Sequence, residues 1–138
     1  SPSRVVAEAI QWDIGFLAEP EAPWYDGDGV VAVAYGDDAY PPARQRLHFW
    51  AAPPYRHPWT TDALALRILP LYFERYAVLW GITPVTRHAA LRAVRRWGFQ
   101  EVGCLPQSEA EGDRMVDGVL SAMTRAQWNE RLSHGVVP

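Results

Sequence analysis

Apolar positions along this chain switch between a period near two and a period near 3.6. Val30 to Tyr35 is rich in valine and reads as a strand. Gly36-Asp37-Asp38 and Pro41-Pro42 then punctuate a turn or loop. Arg46 to Ala52 alternates around Leu47, Phe49 and Ala51, a further strand, and Pro53-Pro54 ends it because proline cannot donate to a ladder. Ala65, Leu69, Tyr72, Phe73 and Tyr76 then recur at i, i+4, i+7, i+8 and i+11, so residues 60–76 form the longest helical pattern. Thr60 or Thr61 is placed to cap it, with Asp62 in its first turn, and Pro70 predicts a kink near Leu66.

Ala77 to Thr83 reads as a buried strand. A short amphipathic helix follows, with Ala90, Leu91, Val94 and Trp97 on one face and Arg87, Arg92, Arg95 and Arg96 mostly on the other. Gly98 suits the left-handed residue that stops a helix, and the arginines before it suit the negative helix end. A strand at 99–105, a polar loop at 106–113 and a strand from Met115 to Met123, broken by Gly118, complete the pattern. Thr124 caps a terminal helix holding Trp128 and Leu132. At the other end, Arg4 to Ile10 reads as a strand, and residues 11–28 as a short helix and a loop. The order β, α, β, β, α, β, α, β, β predicts one α/β domain over residues 1–138. Strands 45–52 and 77–83, joined by a long helix, should be parallel neighbours, since parallel pairing needs such a crossover.

The sequence of strand, helix, Gly98-Phe99 and strand resembles the C-terminal half of the GNAT-type N-acetyltransferase superfamily, where a helix ending in Gly-Phe precedes a strand. The match covers roughly residues 45–124. It implies a central mixed β-sheet flanked by helices on both faces. It also implies an acetyl group moved from acetyl-CoA to an amine acceptor, a small molecule or a peptide. In the resemblance, pantetheine pairs with strand backbone near Trp50 and Ala51, and the pyrophosphate sits on a glycine-rich loop at a helix N-terminus.

The corresponding loop here departs from that pattern. Arg56 matches its first position, but Trp59 and Thr61 replace its glycines, and Pro58 deletes an N–H. Asp62 sets a negative charge beside the anion site. Arg56, His57 and the hydroxyls of Thr60 and Thr61 could still hold a pyrophosphate. They read equally well as ordinary loop residues, with Thr60 only a cap. Trp59 could cover the cofactor or belong to a core or interface. Val94 stands where the family often carries a proton-donating tyrosine, so that general acid is missing. These departures feed an alternative: a GNAT fold without acetyl-CoA chemistry, acting as a binding or assembly module.

His48, on the strand leading to the loop, is the candidate general base, because imidazole titrates near neutrality. A histidine among apolar neighbours is also a common structural residue. Tyr35 and Tyr55 are weaker candidates. Composition narrows the remaining classes. The four histidines show no metal spacing, and Cys104, the lone cysteine, excludes an internal disulfide or a thiolate cluster and is compatible with a reducing cytoplasm. No apolar run is long enough to span a bilayer. All 13 basic residues are arginine, and the net charge of −3 divides into about −7 over residues 1–42 and +4 over the rest. The negative overall charge and the lack of a nucleic-acid motif argue against nucleic acid as a partner, and the division fits either solvated loops or a cationic acceptor met by the acidic half. The seven tryptophans allow a homodimer interface or a dense core.

Overall fold

The computed structural model describes residues 24–26, 29–51 and 56–135. Six strands form one mixed sheet: β1 (Trp24–Asp26), β2 (Gly29–Tyr40), β3 (Arg44–Ala51), β4 (Val78–Pro84), β5 (Gln100–Glu111) and β6 (Arg114–Thr124), in spatial order β1-β2-β3-β4-β6-β5. Three helices connect or follow them: α1 (Pro58–Arg75), α2 (His88–Trp97) and α3 (Arg125–Ser133). β3 and β4 are parallel and every other neighbouring pair is antiparallel. The predicted crossover through α1 is therefore present. The strand expected at Arg4 to Ile10 and the helix expected within 11–28 lie outside the described residues.

Alternation along the strands divides the sheet into two faces. Leu47 and Ala51 of β3, Leu79 of β4 and Met123 of β6 point to one side. They pack there with Leu64, Ala65, Ile68, Leu69, Tyr72 and Phe73 of α1, Trp97 of α2 and Trp128 of α3. All three described helices thus share one core on one face. Phe49 meets Trp97 with ring centroids 4.7 Å apart, and Phe73 stacks on Trp128 at 6.0 Å. Arg46, His48, Trp50 and Trp80 project from the opposite face, because Arg46 and Trp80 are register partners.

Several element ends differ from the sequence reading, each for a local reason. β2 runs on through Asp37 and Asp38 to Tyr40, so the turn is confined to residues 40–43. α1 starts at Pro58, with His57 in extended conformation as N-cap, so neither Thr60 nor Thr61 caps it and Asp62 is not in its first turn. Proline's fixed φ and missing donor suit the first helical position. Pro70 sits on the exposed side of an otherwise continuous helix, where water can take the carbonyl it leaves unpaired. Residues 106–111 are strand rather than loop: the register shifts between Leu105 and Glu109, and the hairpin turns at Gly112-Asp113, with Gly112 at φ 64°. β6 continues through Gly118, where a Cβ would collide with Ser108 and Ile82.

The end of α2 and the start of α3 are as read. Gly98 has φ 109° and its N–H reaches back to Arg95 and Val94 carbonyls. Thr124 forms a reciprocal capping box with Gln127. α3 also closes the ends of the other two helices: Arg125 Nε donates to the Phe73 carbonyl at 2.6 Å, and an Arg131 guanidinium nitrogen donates to the Arg96 carbonyl at 2.9 Å.

Candidate functional site

β3 and β4 start side by side and then separate. Their register holds at Arg44/Val78, Gln45/Leu79 and Arg46/Trp80, and at no later pair among the described residues. β3 continues to Ala51 on β2 alone, and β4 to Pro84 on β6 alone. Past Arg46 and Trp80, the facing edges of the two strands form a wedge of backbone donors and acceptors. Gly81 stands at its base, where a Cβ would lie 3.1 Å from the Leu47 carbonyl oxygen. The wedge opens at the carboxyl ends of both strands, where α1 and α2 begin. In α/β sheets that is the usual place for a ligand crevice.

The start of α1 carries most of the expected cofactor residues. No side chain caps it and no acid lies in its first turn, which leaves a positive helix end at the wedge mouth. Arg56 Nε donates to the Ala51 carbonyl at 2.7 Å, so this arginine closes over the end of β3. The Thr61 hydroxyl turns back along the helix to the Pro58 carbonyl at 3.2 Å and the His57 carbonyl at 3.4 Å. Trp50 and Ala51 stand on the splayed part of β3, Ala51 buried toward the helices and Trp50 on the other face. The side chains of Thr60, Trp59 and Tyr35, and the whole of Tyr55, lie outside what the structure describes.

Asp62 does not face the anion site. Its carboxylate accepts two Nε/Nη bonds from Arg96, at 2.9 and 2.5 Å, and one from the Trp97 indole at 2.7 Å. Burial disfavours the carboxylate, but these partners outweigh it and hold Asp62 below the usual carboxylate range. The charge predicted to oppose a phosphate is thereby neutralised from α2. Arg95 of the same helix pairs with Glu101 at 2.6 Å, and its N-cap residue Arg87 pairs with Glu111 at 3.2 Å. Val94 packs against the core.

On the opposite face, His48 Nε2 lies 2.9 Å from Asp37 Oδ1, with 13% of the His48 side chain exposed. Burial is the main influence and pushes the imidazole below its ordinary range; Asp37 opposes that and Arg46 adds to it. Burial thus favours the neutral imidazole. Asp37 was not legible as its partner, although a hairpin turning at 40–43 sets Asp37 against Arg46, two residues from His48 on the same face. Arg46 Nε is 4.0 Å from Asp37 Oδ1, and its guanidinium carbon lies 5.5 Å from the Trp80 ring centroid. Among the described residues no group of three or more His, Cys, Asp and Glu side chains is arranged to hold a metal ion. No described helix is long and apolar enough to cross a membrane.

No protein-family model and no curated protein sequence matches the chain. Solved structures do match. A spermidine/spermine N-acetyltransferase of Vibrio cholerae superposes with a TM-score of 0.68 at 16% identity, covering 75% of this chain and 64% of the other. A ribosomal-protein-alanine N-acetyltransferase of Brucella melitensis gives 0.66 at 20% identity, covering 74% and 66%. An N-acetyltransferase of Staphylococcus aureus Mu50 gives 0.67 at 13% identity, covering 75% and 66%. The matched region thus spans less than two thirds of each of these proteins. The parallel β3–β4 pair, its separation into a wedge and the helix starts at its mouth occur in a chain whose architecture is the GNAT fold.

Proposed function

We propose that the protein is an acyltransferase that moves an acetyl group from acetyl-CoA to an amine. The observation that carries this reading is the wedge between β3 and β4, where the strands have no register pair past Arg46 and Trp80 among the described residues and backbone can pair with an extended amide-bearing ligand. The residues present suit such a cofactor. Trp50 and Ala51 backbone would hold its pantetheine, and Arg56, His57, Thr60 and Thr61 at the start of α1 would hold its pyrophosphate, now that Asp62 is neutralised. When bound, acetyl-CoA supplies an activated acyl carbon. His48 takes the proton that an ammonium must lose before it can attack, and Asp37 keeps the imidazole oriented. Positioning and backbone donors at the wedge supply the rest.

Calorimetry with millimolar CoA and acetyl-CoA tests the proposal. Heat and thermal stabilisation are expected from both ligands. Arg56→Ala should weaken binding by roughly 1.5–3 kcal/mol, the scale of a charge-assisted hydrogen bond. A second reading, a GNAT fold serving as a binding or assembly module, is favoured by Pro58 and by the hold of Arg56 on the Ala51 carbonyl. Absence of any heat or stabilisation would replace the first reading with the second.

A further inference from the structure

The face of α1 turned away from the sheet carries a pattern of its own. Ala65, Leu69, Tyr72 and Phe73 enter the core, so Leu66, Arg67, Pro70, Leu71 and Glu74 are exposed together on the opposite side. Leu66 is 39% exposed and Leu71 53%, and Pro70 lies between them. These three make a contiguous apolar patch, with Arg67 toward its N-terminal end and Glu74 toward its C-terminal end. Among the described residues neither Arg67 nor Glu74 has a hydrogen bond or an ion pair. They cannot pair with each other, because seven residues of helix set them about two turns and 10 Å apart on one face. An apolar centre with a cation at one end and an anion at the other is complementary to itself. Laid antiparallel across a two-fold axis between Pro70 and Leu71, a second α1 sets Arg67 opposite the partner's Glu74 and Pro70 opposite the partner's Leu71. Leu66 then meets the aliphatic stem of the partner's Arg75. A parallel arrangement would instead set like charges against each other.

We infer that the outer face of α1 is a homodimer interface, formed with a second copy of this chain lying antiparallel about Pro70 and Leu71. The overlap runs from Leu66 to Arg75, about three turns of each helix, which is less surface than a standard stable complex buries. The dimer is therefore reversible, forming at micromolar to submillimolar chain concentration and weakening with salt. The start of α1 at the wedge mouth lies outside the overlap, so the interface does not depend on the acetyl-transfer reading.

Sedimentation velocity across that concentration range tests it. The unaltered protein should pass from monomer to dimer, and high salt should return it to monomer. Arg67→Glu and Glu74→Arg, made separately, should each weaken the dimer about tenfold or more, because each turns both attractive pairs into repulsive ones. Two controls separate this effect from damage to the fold. Both substitutions in one chain should restore the dimer. An equimolar mixture of the two singly altered proteins should form a heterodimer, although neither associates alone, since every facing pair is again of opposite sign. A protein that stays monomeric at every concentration overturns the inference. So does a dimer that neither single charge reversal weakens, and so does a loss of association that neither the double variant nor the mixture recovers.

Discussion

The two faces of the sheet are built by the same strands and differ in almost every physical respect. Toward the helices, Leu47, Leu79 and Met123 are buried among apolar side chains of α1, α2 and α3. Toward the other side, Arg46, His48, Trp50 and Trp80 alternate with those same core residues, carry charge or N–H groups, and include buried donors with no acceptor among the described residues. One residue of shift along β3 separates a position packed in the helical core from one on the face that carries His48.

That contrast is broken most severely from the helical side. Leu79→Ala removes a side chain with no exposed surface and should cost about 2–5 kcal/mol in urea unfolding, while ligand binding per folded molecule stays the same. On the other face, His48→Gln should leave unfolding almost unchanged and lower turnover about 100-fold or more. The unaltered protein's turnover should rise with pH through an ionisation below the ordinary histidine range and then level off, because burial lowers that pKa. A profile that rises only above that range would remove His48 as base.

Asp62 lies outside both faces and tests whether the helices depend on their ionic link. Asp62→Ala should cost roughly 1–3 kcal/mol, since it strands the Arg96 and Trp97 donors. Because its folded pKa is depressed, its contribution is complete above the ordinary carboxylate value of about 3.9. It is lost as pH falls through the lower folded value, and a pH series of unfolding midpoints should show that slope in the unaltered protein but not in the variant. Arg95→Ala, which removes an exposed pair with Glu101, should change stability by less than about 1 kcal/mol and leave turnover unaltered.

The elements with a strong local signal could be read directly. Leu47, Phe49 and Ala51 announced β3, Leu69 to Tyr76 announced α1, and Gly98-Phe99 announced the stop of α2 and the strand after it. Their ends were less legible where one residue outweighs a pattern. Pro58 moved the start of α1 forward, and the bulged stretch around Pro106 hid strand within polar sequence. The site was legible as a set of candidates and not as partners. His48 was visible, but Asp37 comes to it through the register of a hairpin. Asp62 looked like a competitor for phosphate until the fold brought Arg96 and Trp97, more than 30 residues away, onto its carboxylate.

The hold of α3 on the other helices has a consequence for the order of folding. Arg125 and Arg131 close carbonyls near the C-terminal ends of α1 and α2, and both lie after the last strand in sequence. During synthesis, α1 and α2 emerge before the residues that complete their final turns. Amide exchange in those turns should therefore stay fast until residues 125–131 have docked, then slow in both helices together, so that docking of α3 determines when the earlier two become locked.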